Sequence, residues 1–334
     1  MEFARPGNRG ECGAGQDQSV SAGFSATPPV KKSVERTGAT PGEWLPWRTT
    51  QRPLKISATV LAETLRGGQA FRWRAVPDAK ENKVWQGVWG RCVARVRSGE
   101  GDRLEWSCPA ELGENSAAAV EDYFATEMDF ENLADQLPWR TDAALAARLR
   151  AWRGLRLLRQ PAGEALLAFL CSSAKQIPHI AQMCENLAAQ FGEPLWGGIH
   201  ALPTWARLAE APEAELRACR LGYRARFIHQ TARHLAGEPG WEEKIKTAPY
   251  AEAHAWLAEL PGVGPKIADC VLLFGAARFE AFPVDTWILR AMAERYGLRG
   301  WRPAQVAQFG RAHFGPLAGL AQQFLFSGER KEGK

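Results

Sequence analysis

The stretch Leu260–Cys270, LPGVGPKIADC, limits the fold of this chain more than any other part of it. Gly262 and Gly264 let backbone N–H groups approach a ligand closely. Pro265 suits the first position of a helix, where its fixed φ fits and its missing N–H would have had no partner. The pattern predicts a helix ending near Leu260, a tight turn, and a second helix from Pro265, making a hairpin over 252–276. Backbone donors at Gly262, Val263 and Gly264 would then sit at a helix N-terminus and form a phosphate site. Such a site grips a DNA backbone without reading its sequence. On spacing alone, an ordinary αα-hairpin with glycine in its turn is an equal alternative.

Lys266 falls in the first turn of the second helix. The helix dipole there works against a cation, and a neutral lysine amine is a nucleophile able to form a Schiff base. The bland alternative is a solvated phosphate contact. Further along comes FPVDTW (282–287), in which Asp285 is placed to cap a following helix. Alone it would be only that cap. A lysine and a carboxylate at two neighbouring helix starts make a stronger proposition.

The rest of the chain divides into three parts. Residues 1–42 are rich in Gly, Ser, Pro and charge and are expected to be a disordered tail, because they cannot bury enough apolar surface to offset chain entropy. From 43 to 125 an antiparallel β domain is expected, mostly strand between 53 and 108. Cys92, Ala94 and Val96 alternate with Arg91, Val93, Arg95 and Arg97, and the tryptophans favour strands. Ile56–Leu65 reads as a short helix or irregular lead-in. From 126 to 328 the pattern is helical, with an apolar stripe on Ile180, Met183, Cys184, Leu187, Ala188 and Phe191. Helices are expected at 164–172, 213–219, 224–236, 252–260, 265–276 and 285–296. The class is therefore α+β, an N-terminal antiparallel sheet packed on a mostly helical domain.

Composition excludes more than it selects. No apolar run is long enough to span a membrane, and the N-terminus lacks the core of a secretory signal, so an intracellular protein is expected. The net charge of +5 is compatible with a phosphate-rich partner and proves none. The seven cysteines (Cys12, Cys92, Cys108, Cys171, Cys184, Cys219 and Cys270) contain no C-x-x-C pair, and none follows Cys270. Reduced thiols are the simplest reading, with no zinc site or four-cysteine iron–sulfur cluster.

LPGVGPKIADC followed by FPVDTW resembles the signature of the helix-hairpin-helix (HhH-GPD) DNA glycosylases. A lysine at the Lys266 position marks their bifunctional members. GGQAFRW (67–73), GLRLLRQ (154–160), LGYRARFI (221–228) and GPLAGLAQQFLFS (315–327) resemble the eukaryotic-type 8-oxoguanine glycosylases specifically, in similar order over about 53–328. The resemblance implies an enzyme that flips an oxidised guanine out of duplex DNA, expels the base with Lys266, and cuts the strand by β-elimination. Asp285 would stabilise the charge at the sugar and help move protons. It implies no cofactor and no metal, although such a hairpin can hold a monovalent cation through its carbonyls. The expected partner is double-stranded DNA containing oxidised guanine. A monomer is expected, in a bacterial cytoplasm or nucleoid or a eukaryotic nucleus.

For base recognition the resemblance implies that the Gly68 carbonyl accepts from the N7–H unique to 8-oxoguanine. Cys270 and Phe326 would face the two sides of the base, and Gln322 would read its Watson–Crick edge. Tyr223 would wedge into the stack and Arg224 would read the estranged cytosine. Without the resemblance, a turn glycine, a core cysteine and a core phenylalanine would be preferred. Two departures stand out. Ser172-Ser173-Ala174-Lys175-Gln176-Ile177 replaces an asparagine-rich turn and His179 stands where an arginine is usual, which puts strict preference for cytosine opposite the lesion in doubt. Trp287 replaces a histidine and either reshapes the pocket mouth or contacts the 5′ phosphate. The competing readings are a helix-hairpin-helix alkylation (3-methyladenine) glycosylase, which usually lacks the lysine, and a non-enzymatic DNA-binding module, which would not need the site residues together. A third, the iron–sulfur branch, lacks its cysteines.

Overall fold

A computed structural model describes residues 42–77 and 83–332. The expected tail, apart from Gly42, lies outside the described residues. The N-terminal part is a five-stranded antiparallel sheet with β1 (Arg48–Thr49), β2 (Trp73–Val76), β3 (Val84–Trp89), β4 (Cys92–Ser98) and β5 (Leu104–Ser107), ordered β1-β5-β4-β3-β2. Cys92, Ala94 and Val96 are buried, as period-two alternation requires. Val93 is buried as well, opposite Val88 of β3, so the second face is not simply solvated. On that second face Arg95 lies over the Trp44 ring at 3.9 Å and Arg97 over Trp47 at 4.1 Å. These cation–π contacts lay the lead-in to β1 across the sheet. On the core side, Trp89 stacks on Tyr123 with centroids 4.3 Å apart, and Trp73 Nε1 donates to the Tyr123 hydroxyl at 3.1 Å. Buried indoles keep their N–H partnered in this way.

Between β1 and β2 runs the helix Ala58–Arg66, capped by Ser57, whose hydroxyl accepts from the Val60 N–H at 3.4 Å. The remainder is helical. The expected helices appear as Ala162–Ser172, Glu213–Leu216 followed by a wider-wound turn at Arg217–Leu221, Arg224–Leu235, Tyr250–Glu259, Pro265–Gly275 and Thr286–Arg295. The stripe on Ile180 to Phe191 is the buried side of Ile177–Phe191. Helices at Ala143–Ala151, Pro303–Phe314 and Ala318–Glu332 were not singled out by spacing. Sheet and helices share one continuous hydrophobic core.

Two of the stretches picked out in the sequence are joined to each other. Gln69, fully buried, donates through Nε2 to the Arg156 carbonyl at 2.9 Å and accepts from the Leu158 N–H at 2.8 Å. Gln160 Nε2 donates to the Gln69 carbonyl at 2.6 Å. A buried side-chain amide satisfied at both ends fixes its backbone firmly. Arg156 is buried too, with donors on the Phe124 carbonyl at 2.9 Å and the Ala125 carbonyl at 2.6 Å. Burial pulls its guanidinium down to about 10, still a cation at neutral pH. GGQAFRW is thereby stitched to GLRLLRQ, and Gly68 is held from the helical side.

Candidate active site

The hairpin folds as its sequence predicts: helix Tyr250–Glu259, turn, helix Pro265–Gly275. Val263 is buried and its N–H donates to the Leu260 carbonyl at 3.0 Å, which closes the turn. Gly262 sits at φ +81°, and a Cβ there would lie 2.7 Å from the Phe227 Cβ. Thr231 Oγ1 donates to the Pro261 carbonyl at 2.9 Å, which ties the turn to the Arg224–Leu235 helix. Gly262→Ala is therefore expected to cost about 2 kcal/mol in stability, from left-handed strain plus overpacking, read by thermal or urea unfolding.

Buried Asp269, inside the motif, joins the two hairpin helices. It accepts from the Tyr250 hydroxyl at 2.5 Å, and Arg311 Nη1 donates to that hydroxyl at 3.3 Å. Burial pushes its carboxyl above the usual range, against the pull of the Tyr250 hydrogen bond and the His254 and Arg311 charges. Spacing gave no hint of this role. A carboxylate on the buried side of a helix that also carries Cys270 was the available signal.

Beside the hairpin opens a cavity of about 1460 Å³, lined among others by Gly68, Phe169, Ser172, Lys266, Asp285 and Phe326. It has ample room for a nucleotide, since ligand pockets commonly run to roughly 300–1,000 Å³. Lys266 is one position inside its helix, half-buried, with Nζ 5.1 Å from the Phe169 ring centroid and donating to Ser172 Oγ at 3.4 Å. Asp285 caps Thr286–Arg295 by accepting from the Ile288 N–H at 2.9 Å. Burial raises its carboxyl above the ordinary aspartate value. The Ile288 N–H and the Lys266 charge oppose that shift. Gly68 stands at φ +99° with Phe326 Cε1 only 3.2 Å from where a Cβ would be, so a backbone group and a ring meet on the cavity wall. Thr286 and Trp287 complete the mouth, Trp287 half-buried.

Not every expected residue faces this cavity. Cys270 is buried one turn behind Lys266, and burial pushes its thiol up to about 12. Gln322 is also buried. Its Nε2 donates to the Pro283 carbonyl at 3.1 Å while Oε1 has no partner among the described residues. Tyr223 stands 53% exposed. Arg224 instead turns inward. It is buried, with Nη1 donating to the Leu221 carbonyl at 3.3 Å, Nη2 donating to the Ser173 carbonyl, and its guanidinium 4.4 Å from the Tyr223 ring centroid. Contact with DNA would require it to leave this bed. His179 is exposed and lies outside the cavity lining. Ala174 lines the cavity at φ +52°, a left-handed conformation that asparagine adopts more readily than alanine.

Known proteins are similar to this chain in sequence and fold. Residues 53–166 match the family described as 8-oxoguanine DNA glycosylase, N-terminal domain, and 167–313 the HhH-GPD superfamily of base excision DNA repair proteins. The N-glycosylase/DNA lyase OGG1 of Arabidopsis thaliana is 31% identical over 320 residues, covering 91% of this chain and 84% of the plant protein. The N-glycosylase/DNA lyase of Saccharomyces cerevisiae is 32% identical over 263 residues, covering 72% of this chain and 69% of its own. Among solved structures, the Clostridium acetobutylicum 8-oxoguanine glycosylase/lyase bound to double-stranded DNA with cytosine opposite 8-oxoG superposes with a TM-score of 0.75 at 28% identity. It covers 87% of this chain and 99% of the clostridial one.

Proposed function

The chain belongs to the N-glycosylase/DNA lyase family within the HhH-GPD base excision repair superfamily, and from that premise we propose that it excises 8-oxoguanine from duplex DNA and then cuts the strand. The observation that carries the reading is that Lys266, Asp285, Gly68 and Phe326 line one cavity, with the Lys266 charge acting on the Asp285 carboxyl. The Lys266 amine, once neutral, gives its lone pair to C1′ as the C1′–N9 bond breaks. The base leaves with the bonding pair of C1′–N9 and takes up a proton. The nitrogen loses a proton, the sugar ring opens, and the resulting imine lets a C2′ proton depart as the C3′–O bond breaks. Asp285 acts by its charge, favouring the cationic sugar as it forms.

Gly68 offers its carbonyl to the lesion's N7–H. Phe326 bounds the base on one face, and Cys270, buried behind Lys266 and outside the cavity lining, reaches the other face only as the wall shifts to admit the base. Gln322, one turn from Phe326 with an unpartnered Oε1, serves the Watson–Crick edge. Discrimination is strong when a wrong base would leave such buried groups unpaired. The hairpin backbone at Gly262 and Gly264 holds phosphate, while the Val263 N–H, spent on the Leu260 carbonyl, closes the turn instead. Tyr223 wedges, His179 and Trp287 contact the DNA around the lesion, and Arg224 stays on the Leu221 and Ser173 carbonyls behind Tyr223. The protein acts as a monomer wherever the cell keeps its DNA, in a nucleoid or a nucleus. Among the described residues no helix is long and apolar enough to cross a membrane.

The test is a labelled duplex with one 8-oxoguanine opposite cytosine, mixed with protein and borohydride. A covalent protein–DNA adduct is expected. No adduct and no base release, with undamaged DNA equally inert, would end the assignment and turn attention to alkylated bases. With Ala174 in place of an amide, excision opposite adenine, thymine or guanine should approach that opposite cytosine. Ala174→Asn should restore a cytosine preference by several-fold in single-turnover rate. It should also raise stability by about 0.5 kcal/mol, because asparagine tolerates the left-handed backbone better.

A further inference from the structure

We infer that Ser172 is a positioning residue for the nucleophile, holding the Lys266 amine with one N–H turned toward the helix end and its lone pair left for the substrate. The inference rests on the reading of Lys266 as nucleophile. Ser172 is the last residue of Ala162–Ser172, half-buried, and lines the cavity. Its hydroxyl has a single proton, and Oγ donates it to the Phe169 carbonyl at 2.7 Å. Toward Lys266 Nζ, at 3.4 Å, Oγ therefore acts only as an acceptor. A hydroxyl free to rotate could instead donate into the amine lone pair and block attack.

Two neighbours restrict the arrangement further. The Phe169 ring, one turn earlier on the same helix, stands 5.1 Å from Nζ and closes one direction to it. The next residue, Ser173, has its carbonyl bound by the buried Arg224 guanidinium, so the turn that carries Ser172 is anchored from the helix that presents Tyr223. A serine bonding back to a carbonyl at a helix end is ordinary by itself. The second contact, to the amine, is what a purely structural serine would not need.

The experiment compares Ser172→Ala, Ser172→Thr and Ser172→Val, the last two matched in shape and differing in the hydroxyl. Base release and borohydride capture are measured in single turnover at saturating protein, beside affinity for a non-cleavable lesion duplex and the thermal midpoint. Removing the hydroxyl should slow chemistry roughly tenfold while affinity stays within twofold, as misplacement of a reacting group does. Ser172→Thr should recover most of the rate and Ser172→Val should not. Equal rates for wild type and Ser172→Ala, or equal rates for the threonine and valine proteins, overturn the inference. A loss that tracks the thermal midpoint or the affinity also overturns it. Absence of capture by the wild-type protein is a separate result, which removes the Lys266 reading itself.

Discussion

Lys266→Gln protein should form no covalent adduct with lesion DNA under borohydride, and base release should fall on the order of a thousandfold or more. Glutamine keeps a donor for Ser172 and nearly the same length, so the wall of the cavity survives while the nucleophile is gone. Grip on the backbone should change little, since the proposed hairpin donors at Gly262 and Gly264 are main-chain groups. Affinity within a few-fold of wild type, beside a vanished adduct, is the expected pair of results from gel-shift and trapping experiments. Residual capture at wild-type level would place the nucleophile elsewhere.

Asp285→Asn is the companion case, and its effects on folding and on chemistry should separate. Asparagine caps a helix as well as aspartate does, so the bond from the Ile288 N–H is kept and the thermal midpoint should hold or rise slightly. Chemistry should fall about a hundredfold, the scale at which single groups stabilise developing charge. The pH profile carries the sign. Burial, the largest influence on this carboxyl, raises it, so it takes up a proton at a higher pH than a free aspartate. In the role proposed for Asp285, the working form is the ionised one. Activity should therefore fall on acidification starting above the ordinary aspartate value of about 3.9, and Asp285→Asn should lack that acid limb. A profile unchanged by the substitution would assign the limb to another group.

The hairpin was legible in the sequence because proline and glycine dictate backbone angles locally, and LPGVGPK needs no distant partner to be understood. The helix stripe on Ile180 to Phe191 was legible for the same reason, since its period is a property of one element. Asp285 could be read as a cap and its meeting with Lys266 anticipated from two helix starts. What escaped depends on residues far apart. Gln69 and Arg156 are joined only once the sheet and helices have packed, and nothing near either one announces the bond. Ser172 carries no signal of its own within the 172–177 turn, because its proton's commitment to Phe169 is visible only in three dimensions. The inward turn of Arg224 likewise follows from a carbonyl on a different helix.

The seam at Gln69 also bears on when the protein becomes capable of cutting DNA. Gly68 belongs to the segment before β2, yet its place is set by carbonyls and amides contributed by residues 156–160. Lys266 and Asp285 arrive later in the chain, and Phe326 last. A chain that ends before Phe326 therefore carries Gly68, Lys266 and Asp285 but lacks the ring that packs against Gly68. The cavity lining thus draws on both ends of the described chain, and a truncation from either side should loosen the Gly68 corner before it touches Lys266.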